Sequence, residues 1–169
     1  GPSYQELLDK EVNPVPDSLR DDTRPYLGSE NLSVERYLSR EFHEKEVAQI
    51  WQRKWQAVCR ETEVGEPGDT HVYDITRFSI IVTRTAAGTL KGFRNACLHR
   101  GRQLVDKSGN YEKFRCPYHA FTWSLEGDFK WAPCKWDFPH IKDKEFGLPE
   151  VQVDTWGGWV FINMDLHAP

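Results

Sequence analysis

The sequence predicts a mainly β fold with one α-helix and an irregular arm ahead of it, and three observations carry that reading. Residues 13–31 are rich in Pro, Asp, Arg and Gly, with Pro14, Pro16 and Pro25 blocking regular hydrogen-bond ladders, so this stretch reads as an extended arm. One strongly periodic segment follows, in which His43, Val47, Ile50 and Trp51 share a helical face. After Trp55 the pattern changes to short strand-like runs separated by Gly- and Pro-bearing turns.

The bounds of these elements have local causes. Ser39 is the expected N-cap of the helix, and Glu41, Glu44 and Glu46 near its start with Arg53 and Lys54 at its end complement the helix dipole. Strands are expected at 55–59, 71–76, 78–84, 89–94, 111–115, 121–125, 150–155 and 159–163. Gly65-Glu66-Pro67-Gly68, Ala87-Gly88, Glu126-Gly127-Asp128 and Gly157-Gly158 punctuate them as turns. The expected division is an arm over 1–38 and a β domain over 39–169.

Composition narrows the function. The 169 residues carry 22 basic and 26 acidic side chains, a net charge of −4, which argues against nucleic acid as a partner. No stretch approaches the roughly 20 apolar residues of a membrane helix, and no secretion leader opens the chain. The expectation is therefore a cytoplasmic protein with no membrane partner. Gly1-Pro2 resembles a cleaved-tag remnant, and the chain stops just after a strand-like run, so a truncated fragment is expected. Four cysteines without an export signal suit metal ligation or buried thiols better than disulfides.

Two short donor pairs stand out, Cys97-Leu98-His99 and, beyond residues 100–115, Cys116-Pro117-Tyr118-His119. Thiolate with imidazole suits either zinc or an iron–sulfur cluster. Zinc sites of two cysteines and two histidines commonly pair like with like, whereas here each pair is mixed. A mixed pair on each of two loops can place both cysteines on one iron and both histidines on the other.

At these residues the chain resembles the Rieske family, whose motif is C-x-H, a spacer, then C-x-x-H. The flanking text, Asn95-Ala96-Cys97-Leu98-His99-Arg100-Gly101 and Arg115-Cys116-Pro117-Tyr118-His119-Ala120-Phe121-Thr122-Trp123, is similar to the two cluster loops of ring-hydroxylating oxygenase large (α) subunits. The helix ending at Trp55, the turn at Pro67-Gly68-Asp69 and the run Trp156-Gly157-Gly158-Trp159-Val160-Phe161-Ile162-Asn163 extend the likeness from about Ser39 to Asp165. Ala120 departs from it, standing where that family usually has glycine; a methyl group is tolerable there unless the backbone needs a positive φ. Neither loop has the extra cysteine of respiratory Rieske proteins, and Ala120 replaces their serine, so the resemblance implies a low-potential oxygenase-type cluster.

The resemblance implies a Rieske-type antiparallel β-sandwich with two cluster-binding loops. It implies one [2Fe–2S] cluster on Cys97, His99, Cys116 and His119, with no catalytic residue in this chain. It further implies a ferredoxin or flavin reductase as electron donor, and a mononuclear Fe(II) in a following, missing domain as acceptor. The complete subunit would be a homotrimeric oxidoreductase, a dioxygenase or monooxygenase of aromatic hydrocarbon catabolism, to which this fragment contributes electron transfer alone. A free-standing Rieske-type ferredoxin and a structural zinc-binding interaction module are the alternatives.

Other candidates read as structural. Cys59 is expected to be a buried thiol and Cys134 a cysteine with no ligand role, their pairing as a disulfide being disfavoured. His140 and His167 with Asp137, Asp143 and Asp165 supply the residue types of a facial triad but read as solvated loop residues. His43 is expected to pack on the helix face, His71 to lie in a strand, and the seven tryptophans to serve core and interdomain packing. Arg100 and Arg102 either face an acidic partner or hold their loop.

Overall fold

In the computed structural model, which describes residues 1–20 and 27–168, the chain divides into a unit up to Val34 and a unit from Glu35 onward. The first contains α1 (Tyr4–Asp9) and the single turn α2 (Asp17–Arg20). Ser3 Oγ accepts the Glu6 N–H, and the Glu6 carboxylate accepts the Ser3 N–H in return, which closes a capping box. The extended reading of 13–31 is thereby corrected at 17–20. The Pro16 carbonyl accepts the Leu19 N–H at 3.0 Å to open that turn, and Arg20 reaches back to Asp9 at 2.7 Å. Residues 21–26 of the expected arm, Pro25 included, lie outside the described residues.

The second unit opens with α3 (Glu35–Leu38) and α4 (Arg40–Glu46). Ser39 caps α4 as expected, its Oγ accepting the Phe42 N–H at 3.2 Å. Residues 47–51 then widen into a π turn, in which the Gln52 N–H bonds the Val47 carbonyl at 3.1 Å. The wider turn rotates the residues beyond it out of the 3.6-residue phase. Val47 is fully buried, while Ile50 is 46% exposed. His43 also departs from the expected packing: its ring stands in solvent, 3.9 Å from the Glu46 carboxylate, where the polar imidazole keeps its water.

Ten strands follow among the described residues: β1 (Gln56–Arg60), β2 (Asp69–Ile75), β3 (Phe78–Arg84), β4 (Leu90–Arg94), β5 (Gly109–Asn110), β6 (Phe114–Arg115), β7 (Thr122–Trp123), β8 (Phe129–Trp131), β9 (Glu150–Trp156) and β10 (Trp159–Asn163). Seven form one antiparallel sheet in the order β1-β10-β9-β4-β3-β2-β5, and β6-β7-β8 form a second. The fold is mainly β, as the sequence predicts. The expected runs 111–115 and 121–125 contract to 114–115 and 122–123, because 111–113 bend on the way in from β5 and 124–128 form the turn into β8; β5 and β8 lie outside the expected runs.

Strand β3 is a wall common to two cores. Ile81 joins Phe93, Phe114, Phe121, Trp123 and Phe129 on one side, between the two sheets. Ile80 and Val82, pointing the other way by the period of a strand, join Cys59, Val64, Val151, Val160 and Ile162 inside the curl of the large sheet. The turn before β8 fits against this frame only as glycine, since Gly127 has φ +87° and a Cβ there would run into the Phe93 ring. Among the tryptophans only Trp123 is fully buried; Trp131, Trp136 and Trp156 are exposed, which corrects the core half of that expectation.

Candidate metal centre

Two loops meet above the core between the sheets, one leaving β4 and one joining β6 to β7, and they are built alike. In the first, the Cys97 N–H donates to the Arg102 carbonyl and the Cys97 carbonyl accepts from Gly101, both at 2.8 Å. In the second, the Cys116 N–H donates to the Phe121 carbonyl at 2.8 Å and its carbonyl accepts from Ala120 at 2.9 Å. The two cysteines are 3% exposed, and their thiols face each other as hydrogen-bond partners. The histidine rings lie side by side, centroids 4.9 Å apart.

Neighbours hold both pairs. The His99 ring stacks on Phe121 at 4.7 Å and meets the edge of Phe138 at 5.8 Å, while Tyr118 lies 3.7 Å from the His119 ring. Phe121 rests in turn on Trp123 and Phe146, and the Trp123 indole N–H donates to the Phe146 carbonyl at 2.8 Å. Asn95, 2% exposed, ties down the first loop: its Oδ1 accepts the N–H groups of Leu104 and Val105 at 3.0 Å, and its Nδ2 donates to the Val105 carbonyl and Ser79 Oγ. Arg102 holds the same loop through a forked pair with Asp106 at 3.0 Å, and Arg100 is exposed. Asn95 and Phe121 flank the donor pairs in the sequence without showing a role there, and nothing in the sequence around Phe138 marks it.

The electrostatics favour a neutral imidazole at His99 and, at Cys97, a protonated thiol whose deprotonation the nearby backbone N–H groups ease. Burial, then the His119 ring and Arg100, lower the His99 pKa and favour the neutral imidazole. Burial raises the Cys97 pKa, opposed by the backbone N–H groups of His99 and Arg100, which hydrogen-bond its sulfur and stabilise the thiolate. Two thiols on one side, two imidazoles together, and N–H groups aimed at sulfur form a donor set that fits a [2Fe–2S] cluster. Among the described residues no three His, Cys, Asp or Glu side chains are grouped to hold a single ion.

The remaining candidates stay apart. The Asp143 carboxylate pairs with Lys135, Asp165 accepts the His167 N–H at 3.0 Å, and His140 stands against Phe138. His71 lies in β2, 3.8 Å from Glu63. Cys59 is buried and Cys134 exposed, both free thiols. Burial, aided by the Glu63 charge, pushes the Cys59 thiol up to about 11. A raised thiol pKa favours the protonated, unreactive form until pH climbs toward that value. Iodoacetamide at neutral pH is therefore expected to alkylate Cys134 and spare Cys59, which should become reactive only on unfolding or above about pH 10. Peptide mass mapping reads both, and early labelling of Cys59 would contradict its burial.

The matched loops expose a difference at one position. Gly101 has φ +71° and Ala120, its counterpart, φ +60°. The condition under which alanine would be costly at 120 is thus met. An L-residue in this region costs about 1–2 kcal/mol, and no atom lies within 4 Å of a Cβ built on Gly101, so the backbone alone decides there. Ala120→Gly is expected to stabilise by about 1 kcal/mol and Gly101→Ala to destabilise by as much or more, read from chemical denaturation midpoints. Two shifts of the same sign would refute the equivalence.

The family model for the Rieske [2Fe-2S] domain matches residues 54–142, more than half of the chain, and the chain belongs to that family. It is 32% identical over 136 residues to the glycine betaine monooxygenase oxygenase subunit of Pseudomonas aeruginosa, covering 79% of this chain and 31% of that protein. It is 30% identical over 149 residues to the anthranilate 1,2-dioxygenase large subunit of Acinetobacter baylyi, covering 87% and 32%. Among solved structures, a quaternary ammonium Rieske monooxygenase in complex with L-carnitine superposes with a TM-score of 0.75 at 29% identity, over 80% of this chain and 39% of that one. The homologues are α subunits of Rieske oxygenases, oxidoreductases that include monooxygenases and dioxygenases, and this chain spans about a third of the curated relatives' length. No helix among the described residues is long and apolar enough to cross a membrane.

Proposed function

We propose that this chain binds one [2Fe–2S] cluster through Cys97, His99, Cys116 and His119, and that it relays single electrons to a mononuclear non-haem iron. That iron would lie in a separate domain of a complete, trimeric oxygenase subunit, with a ferredoxin or flavin reductase as donor. Residues 39–169 are the electron-transfer domain in this reading and 1–38 its arm. The observation that carries the reading is the matched pair of loops, each presenting one thiol and one imidazole, with the two imidazoles adjacent.

When bound, the cluster accepts and returns one electron, at a potential raised by two neutral ligands relative to four thiolates. The residues of the chain prepare the site for that chemistry. Backbone N–H groups of His99 and Arg100 neutralise part of the charge at Cys97, and Phe121 with Phe138 fixes the His99 ring and keeps water from its inner face. Both imidazoles are only partly buried, so their outer edges can meet an acceptor domain through a hydrogen bond. The relatives named for glycine betaine and anthranilate widen the substrates of such subunits beyond aromatic hydrocarbons.

Electron paramagnetic resonance on anaerobically purified protein before and after dithionite tests this, with iron, zinc and sulfide counted on the same sample. A signal appearing on reduction, with the lowered average g of a mixed-ligand cluster and two irons per chain, is the expected result. Stoichiometric zinc without sulfide, persisting after iron–sulfur reconstitution, would overturn it.

A further inference from the structure

We infer that the outer face of the small sheet is the docking site for an acidic electron-donor protein, which seats carboxylates on Lys113, Arg115 and Lys130 and an apolar contact on Trp131. The inference rests on the electron-transfer reading above and names the partner surface of that site.

The strand register builds this face. Phe114, Trp123 and Phe129 face the core; Arg115 and Thr122, paired with each other and next to Phe114 and Trp123, point the other way. A bulge at Lys130, which pairs Trp123 with Phe129 but Thr122 with Trp131, brings Trp131 to that face, with Thr122 buried between its exposed neighbours. This rung is the last before the second loop: Arg115 directly precedes Cys116 and Thr122 directly follows Phe121, and Thr122 Oγ1 donates to the Ala120 carbonyl at 2.8 Å. Lys113, Arg115, Thr122, Lys130 and Trp131 line an open groove of about 400 Å³.

The charge of the groove is compensated only at Lys130. Neither Lys113 nor Arg115 enters any ion pair among the described residues, and Lys130 touches only Asp128, at 3.5 Å with its side chain 54% exposed. Three cations beside a half-exposed Trp131, on a chain whose net charge is −4, make a local field that attracts a negative protein surface. No residue of either donor loop lines the groove. A donor seated there leaves the imidazole edges open to an acceptor, so the two electron partners need not compete for one face. One electron leaves the donor's reduced centre and enters the cluster; no bond is made or broken.

The probe for this site is a reduced, acidic plant-type [2Fe–2S] ferredoxin, used with the cluster-loaded full chain. Carbodiimide coupling, which joins a carboxylate to an amine with loss of water, is expected to link the probe to Lys113 or Lys130, as mapped by mass spectrometry. In stopped-flow reduction at low salt, Lys113→Glu/Lys130→Glu is expected to slow transfer from the probe about tenfold or more. Its reduction by dithionite and its resonance signal should be unchanged. Arg53→Glu/Lys54→Glu, an equal charge change at the far end of the helix, should alter the rate less than about twofold. Cross-links that map elsewhere, or equal slowing by both double variants, would overturn the inference. So would salt-dependent self-association of the wild type that Lys113→Glu/Lys130→Glu abolishes, since the groove would then belong to a second copy. A wild type that acquires no reducible cluster fails earlier, in the resonance measurement, and takes the functional reading down with the inference; a sound cluster with indifferent groove variants sinks the inference alone.

Discussion

Asn95→Ala is expected to destabilise the domain by about 3–4 kcal/mol, because two buried N–H donors lose their shared acceptor at once. Leu104 and Val105 are 6% and 3% exposed, and both backbone N–H groups end on Asn95 Oδ1 at 3.0 Å. The side chain also supplies the donor to the Val105 carbonyl at 2.7 Å. Water cannot easily reach these groups in the variant, so each unmade bond carries most of its desolvation penalty. Urea titration measures the loss, and the first loop should also release its metal faster to a chelator. Asn95→Asp, which keeps the acceptor and forfeits the donor, should fall between the two. A cost under about 1 kcal/mol for alanine would mean that the loop is held from elsewhere.

His119→Cys is expected to lower the reduction potential on the order of 100 mV or more, toward the roughly −400 mV of all-cysteine plant-type clusters and away from the −150 to +300 mV of Rieske centres. The substitution exchanges a neutral donor for an anionic one, so the reduced state bears one more unit of negative charge in the same loop. Its neighbour His99 stays clamped between Phe121 and Phe138, which confines the change to one ligand. Protein-film voltammetry reads the shift. An unchanged or higher potential in a variant that still assembles its cluster would sink the charge argument.

The strands with alternating or continuous apolar residues were legible because burial on a pleated sheet leaves a period in the sequence, as in β3 with Phe78–Arg84. The donor pairs were legible for a different reason: soft and neutral ligands at C-x-H and C-x-x-H spacing are rare outside metal sites. The features that stayed hidden depend on tertiary placement. Strand β8 is three residues long and ends just before Ala132-Pro133, too short to show alternation. The π turn after α4 leaves no mark in a pattern of apolar spacings, so the spacing alone assigns Ile50 to the interior. The positive φ at Ala120 belongs to the folded loop and leaves no mark in the residue string, so the sequence poses it only as a condition.

The shared wall formed by β3 bears on how the domain comes apart. Ile81 is wholly buried in the core beneath the two loops, and Ile80 and Val82 are wholly buried in the core within the curled sheet. Neither half can open without stripping one face of the same strand, so the barrier to partial opening approaches that of losing the whole structure. Amide exchange is therefore expected to be slowest along 80–82, and a domain stripped of metal at its loops is expected still to unfold in one cooperative step, which exchange read by mass spectrometry and a denaturant titration would check.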